Sequence, residues 1–271
     1  MKLHIVPART GLEWTRLGIR VFWRQPMALA ALFFLCMATM SLAAALPLVG
    51  PAVALALLPS ATLVMMVAAA EASHGRVPTP TLLLVAFRTG RQRMHSMLTL
   101  GALYAAGFLL VMGLSALIDE GQFALVYLGG EPLTREVAES GSFQAAMWLS
   151  LLLYVPLSLL FWHAPGLVHW HNVAPVKALF FSIVACVRNL GAFTIYGLAW
   201  LGVFVAAGLA VSLMVALLAG LGLSAGFAGG VMAATAMMLA AMFFTSVVFT
   251  FRDSFEAPQQ PPAPEPQRTE E

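Results

Sequence analysis

Six long apolar stretches dominate the chain, over roughly 27–47, 49–70, 96–118, 145–168, 191–219 and 226–251. A helix needs about 20 apolar residues to cross a bilayer, and each stretch meets that length with no charged residue near its centre. The first is too long for the apolar part of a signal peptide, and a second follows at once. The pattern therefore predicts a helical hairpin turning between Pro47 and Pro51, despite the cleavage-like Ala43-Ala44-Ala45. Ahead of it, GLEWTRLGIRVFWRQ (11–25) has helical periodicity of another kind. Arg16, Arg20 and Arg24 recur every four residues on one face, and Trp14, Leu17 and Val21 take another, which predicts a helix lying in the headgroup plane.

Composition agrees with this pattern: 61% of the 271 residues are hydrophobic and only 10% charged, against about 25% charged in soluble domains. The expected fold is an all-α integral membrane protein with six transmembrane helices and interface helices beside them. Three segments follow: an N-terminal amphipathic helix in 1–26, a transmembrane domain in 27–251 with an outer loop at about 119–144, and a Pro-rich acidic tail in 252–271. That tail, with its PPAPEP run, has too little apolar content after Phe255 to bury a core and is expected to be disordered.

Charge adds orientation. Of the 14 basic residues, all but Arg135 fall before the first span, between the second and third, after the fourth, or after the sixth. Loops rich in Lys and Arg stay cytoplasmic, so both termini are expected inside a bacterial inner membrane. Arg135 shares the outer loop with Asp119, Glu120, Glu131, Glu136 and Glu139. The positive side faces anionic headgroups. Arg16, Arg20, Arg24, Arg88, Arg91 and Arg188 are the candidate contacts for them, at about 1 kcal/mol for each basic residue near the surface, and the simpler reading makes them topology anchors. No aromatic-interleaved basic patch suggests nucleic acid.

The second and fourth spans superpose with one ungapped shift of 97 positions. Pro59 then meets Pro156, His74 meets His171, Pro78 meets Pro175, Leu82 meets Leu179, Arg91 meets Arg188 and Gln92 meets Asn189. This reads as an internal pseudo-repeat of proline-kinked span, exit loop, amphipathic helix and next span, a common membrane architecture that does not by itself identify a transporter. Gly208-x-x-x-Ser212, Ala216-x-x-x-Gly220 and Gly226-x-x-x-Gly230 supply small-residue faces. They are expected to serve contacts within the chain, with dimerisation as the alternative.

The run FWHAPGLVHWHNVAP (161–175) is the one stretch with the look of chemistry. Metal-binding helices place ligands at i and i+3 or i+4, whereas His163, His169 and His171 are spaced by six and two across Pro165-Gly166, with no acid nearby to orient a ring. Protonation near neutral pH could make a pH-sensitive headgroup contact. The favoured reading is a helix exit, with Trp14, Trp162 and Trp170 as interface anchors in the aromatic belt and the three histidines replaceable. Cys36 and Cys186 are read as small apolar residues. No phosphate loop, HExxH, GxSxG or intramembrane Asp, Glu, Lys or Arg appears, so neither an enzyme nor a cofactor is expected. Glu71, at the end of a span, has Arg76 or Arg88 as a candidate ion-pair partner. The expected role is a scaffold or interaction protein of the cell envelope, the alternative a permease or lipid-handling protein for a small neutral or lipidic solute.

The segments PARTGLEWTRLGIRVFWRQP, LPLVGPAVALALLPS, GRVPTPTLLLVAF and FWHAPGLVHWHNVAPVKALFFSIVACVRNLGAFTIYGL resemble a family of functionally uncharacterised six-span inner-membrane proteins of proteobacteria. The resemblance covers all but the outer loop and the tail. It implies the fold and the location, and no activity. In such proteins the fourth-span exit is often more apolar, without His at positions like 163 and 169, so the resemblance implies no family-wide metal site there.

Overall fold

Prolines and turns cut the apolar sequence into helices whose ends can be assigned residue by residue. The computed structural model describes residues 2–88, 90–220 and 225–256. Its helices are α1 (Thr10–Arg24), α2 (Pro26–Ala44), α3 (Gly50–Ser73), a 3₁₀ turn (Pro80–Leu84), α4 (Val85–Arg88), α5 (Arg91–Asp119), α6 (Gln122–Gly129), α7 (Arg135–Glu139), α8 (Gly141–Phe161), α9 (Ala164–His171), α10 (Pro175–Arg188), α11 (Leu190–Gly220) and α12 (Ala225–Ser254). Six candidate spans result, made by α2, α3, α5, α8 with α9, α11 and α12. The protein is an all-α integral membrane protein.

Between α2 and α3 the chain reverses through Leu48, which adopts a left-handed φ of 66°. A methyl group at Gly50 would land on the Ala44 carbonyl, so the tight return needs glycine there. Helix α3 is the hub. It packs on α2, α5, α9 and α12, and Leu63, Val64, Met65, Met66, Ala68, Ala69 and Ala72 along it are buried. Without a hydrophobic drive between helices inside lipid, close packing of such side chains holds the bundle.

The segment joining α5 to α8, which is the expected outer loop, carries the two short helices α6 and α7. Asp119 is buried and accepts backbone N–H bonds from Gly121 (3.0 Å) and Phe123 (2.6 Å), which starts α6. Phe123 then stacks on Tyr127 and meets Phe143 of α8 edge-on. Thr134 caps α7 and Ser140 caps α8.

At the opposite end the termini meet. Leu3 bridges Phe255, His4 N–H donates to the Ser254 carbonyl, and Glu256 N–H donates to the Lys2 carbonyl. Asn189 clamps the same arm from the side, its Oδ1 accepting from Val6 N–H (2.8 Å) and its amide donating to the His4 carbonyl (3.0 Å). The expected tail therefore begins too early at 252. Arg252 to Ser254 complete α12 and Phe255 is buried, because the paired N-terminal arm gives it a surface. The PPAPEP run lies outside the described residues.

The elements of the two halves recur in the same order. Pro59 lies inside α3 and Pro156 inside α8; His74 caps α3 while His171 ends α9; Arg91 opens α5 and Arg188 closes α10 just before α11. The halves differ at two points: the expected amphipathic helix is a 3₁₀ turn and the four-residue α4 in the first half against the 14-residue α10 in the second, and α3 is continuous where α8 and α9 are broken. Position 165 is proline, and the 97-residue shift places Ala68 opposite it.

The small-residue faces depart from expectation. A methyl group added at Gly208, Gly220, Gly226 or Gly230 would meet nothing within 4 Å. No residue is buried from 201 to 217 in α11 or from 226 to 240 in α12, since both helices run beyond the part of the bundle that could cover them.

Candidate functional site

The break after α8 follows from Pro165, which has no N–H to offer the carbonyl of Phe161 four residues earlier. Helix α10 fills the gap. The Ser182 hydroxyl accepts from His163 N–H (2.9 Å) and donates to the Leu159 carbonyl (2.8 Å), standing between the two groups that an unbroken helix would pair. His163 is 0% exposed. Its Nε2 lies 3.2 Å from Thr250 Oγ1 and its Nδ1 3.8 Å from Cys186 Sγ. Thr250 gives its hydroxyl hydrogen to the Val247 carbonyl (2.7 Å), so it must accept from both Trp162 Nε1–H (3.0 Å) and His163 Nε2–H. That leaves Nδ1 to accept from the Cys186 thiol. Burial pushes this thiol up to about 12, which keeps it a donor.

This corrects the reading of 161–175 as a simple exit. His163 is a structural core histidine that joins α8, α10 and α12, whereas His169 and His171 are only partly buried. Among the described residues no three of His, Cys, Asp and Glu come together as a metal-holding group.

Two of the three expected tryptophan anchors are also placed differently. Trp14 is 0% exposed. Its ring meets Phe193 and Tyr196, and its Nε1–H donates to Asp253 Oδ2 at 2.9 Å. Trp162 is half-buried among Phe193, Tyr196 and Phe243. The reason lies in α1, whose apolar face is covered by protein and not by headgroups. Gly11 and Gly18, two turns apart, let α1 touch its neighbours directly: a methyl at Gly11 would strike the Ala192 carbonyl of α11, and one at Gly18 would strike Ser246 of α12. Those glycines were the available signal. Trp170 alone keeps an edge position, tilted over Phe251 at 5.0 Å.

A cavity of about 550 Å³ opens at this basic end, between α1, the last turns of α3 and α12, and the end of α9. Arg20, Arg24 and Arg252 stand on its rim with His74 and Glu256; Val21, Val248, Phe249, Phe251 and Trp170 form its apolar wall. Arg24 Nη1 reaches the Ser73 carbonyl at the end of α3 (3.4 Å). Arg252 pairs with Asp253 (3.2 Å) and lies 5.1 Å over the Phe249 ring. His171 also lines the cavity, and its Nε2 is buried with no hydrogen-bond partner among the described residues.

The structure thus gathers only Arg20 and Arg24 of the six expected lipid-contact arginines at this cavity, and adds Arg252, which the sequence pattern did not single out. Arg16, Arg88, Arg91 and Arg188 are exposed but stand elsewhere. The described ion pairs, Arg135 with Glu139 and Arg252 with Asp253, do not include Glu71.

No protein-family model and no solved structure matches the chain. The chain is 40% identical over 269 residues to a probable inner membrane protein of Burkholderia thailandensis, an alignment covering 97% of each. With six apolar helices and that relation along nearly its whole length, the chain belongs to the same family of proteobacterial multi-pass inner-membrane proteins.

Proposed function

We propose that this is a non-enzymatic interaction protein of the inner membrane, with both termini cytoplasmic, whose outer parts of α11 and α12 receive a further transmembrane helix. One observation carries the reading: these two candidate spans offer glycine and alanine faces that no part of the described residues covers. Lipid tails can cover leucine and phenylalanine faces without penalty, but small-residue faces favour the close approach of another backbone. The polar core groups around His163, Asn189 and Thr250 are engaged in holding helices together, which fits a scaffold.

Cysteines placed at Gly208 and Ala216 test this in native membranes. Cross-linking to a second copy or to a co-purifying membrane protein is expected; a monomer with no adduct at either position overturns it. Orientation is tested separately. A Lys2→Cys variant is expected to label only after permeabilisation and Glu136→Cys in intact cells, and labelling of both from one side defeats the six-span arrangement. Cys36 and Cys186 are buried, so the background is low.

The permease reading has two cavities between candidate spans in its favour, one of about 120 Å³ lined by Thr62, Tyr104, Tyr154, Ser158 and Trp162 and one of about 260 Å³ between α2 and α3 lined by Cys36, Thr39 and Ser60. Both fall below the roughly 300–1,000 Å³ of small-molecule sites. The scaffold reading is preferred.

A further inference from the structure

We propose that the cavity between α1, α3, α9 and α12 binds the headgroup of one anionic glycerophospholipid from the adjacent leaflet, phosphate on Arg20, Arg24 and Arg252, glycerol and upper acyl chain against Trp170, Val248 and Phe249. Position favours this occupant. The cavity lies where two candidate spans, α3 and α12, end, which is where a bilayer spanned by them would present its headgroups. Its size falls within the range of small-ligand sites.

Charge agrees. Three arginines against one glutamate leave the lining at 3 − 1 = +2 with histidines uncharged. Arginine suits a phosphate because its planar guanidinium presents several N–H donors in a fixed fork. Arg252 has its Nε on Asp253, and Arg24 spends Nη1 on a distant carbonyl at 3.4 Å, so both keep further donors for a ligand. Arg20 follows Arg16 by one helical turn but differs from it in facing the cavity, which α12 closes from the other side. The buried Nε2 of His171 marks the same wall as short of one partner, a deficit that native structures seldom leave unfilled. The amphipathic combination discriminates between ligands. A free phosphate would use the arginines and leave the wall of Val248, Phe249 and Trp170 bare, while a zwitterionic lipid would bring a cation to a rim that already has a positive excess.

Native mass spectrometry of the full chain, released from nanodiscs containing equal phosphatidylglycerol and phosphatidylcholine, is the test. One retained phosphatidylglycerol per chain is expected. The Arg20→Gln/Arg24→Gln variant should lower its retention about 25-fold, at about fivefold for each arginine near an anionic headgroup. Arg252→Gln should lower it on its own, and Arg88→Gln/Arg91→Gln should leave it unchanged. The arginines at 20 and 24 are exposed, and circular dichroism with gel filtration checks that their replacement leaves the fold intact. Equal retention of phosphatidylcholine, or undiminished phosphatidylglycerol in a folded Arg20→Gln/Arg24→Gln protein, overturns the proposal. So does displacement of the lipid by millimolar inorganic phosphate, which would make the occupant a free anion.

Discussion

Trp14→Phe separates a tryptophan that staples helices from one that floats at the bilayer surface. In the structure its indole N–H donates to Asp253 Oδ2 at 2.9 Å and its ring lies between Phe193 and Tyr196. Removing a hydrogen bond to a charged group costs about 1.5–3 kcal/mol. The lower end applies here, because Asp253 is partly open to solvent and keeps Arg252 as a partner at 3.2 Å. Trimming indole to phenyl leaves space worth about 1 kcal/mol more, at roughly 24 cal/mol per Å³. The expected loss is about 2–3 kcal/mol for Trp14→Phe, and for Trp14→Ala about 4 kcal/mol, within the usual range for deleting a buried large aromatic side chain. Equilibrium unfolding in mixed micelles, followed by far-UV circular dichroism, measures both. A cycle with Asp253→Ala should show coupling of about 1–2 kcal/mol, as expected for groups in direct contact. A surface anchor behaves differently, since phenylalanine also resides at the interface and no partner is lost. A Trp14→Phe protein within about 0.5 kcal/mol of the parent, with no coupling to Asp253→Ala, would refute the staple.

Other outcomes follow from the same geometry. His163→Ala should destabilise the protein by about 2–4 kcal/mol, since it empties a buried site and strips donors and acceptors from the α8–α10–α12 junction, whereas His169→Gln should stay within about 0.5 kcal/mol; the same unfolding assay reads both. Gly18→Leu should lift α1 from α12, seen as faster tryptic cleavage at Arg16 and Arg20 in membranes opened on the basic side; unchanged cleavage would mean α1 never docked. Cys186 should resist maleimide at pH 8 in the folded protein. With its thiol raised to about 12, roughly one molecule in ten thousand is thiolate there, and moving to pH 9 still leaves it almost wholly protonated; both cysteines should label once the protein is unfolded in dodecyl sulfate.

Much of the fold was legible because bilayer thickness acts on run length, which a sequence shows directly. The six spans, the Pro47–Pro51 turn and the helical character of 11–25 all follow from that constraint and from local periodicity. Periodicity identifies an apolar face but is silent on what covers it. The face with Trp14 and Val21 was read as lipid-facing and is covered by α11 and α12, through contacts to residues nearly 240 positions away. The glycine and alanine faces of α11 and α12 were read as internal, and nothing among the described residues covers them. Pro165 announced a helix break, but the repair by Ser182 depends on a residue of the next helix. The cavity was half visible: Arg20 and Arg24 share a face by spacing, while Arg252 joins them only because the termini fold back to one end.

That closure also explains why order is unevenly distributed along the molecule. At the basic end, Asn189, Ser182, Thr250 and Asp253 each place polar groups on a partner helix or on the N-terminal arm. Residues 2–6, α1 and the last turn of α12 thus form one cross-braced layer, and the cavity lies within it. From 201 to 217 in α11 and from 226 to 240 in α12, by contrast, no described residue is buried. A perturbation at the arm, such as loss of the Asn189 clamp on Val6 and His4, acts on Phe255 and Arg252 before it reaches the membrane-depth faces of α11 and α12. The two proposed contacts, a lipid at the braced end and a helix at the open one, are therefore separable by mutation.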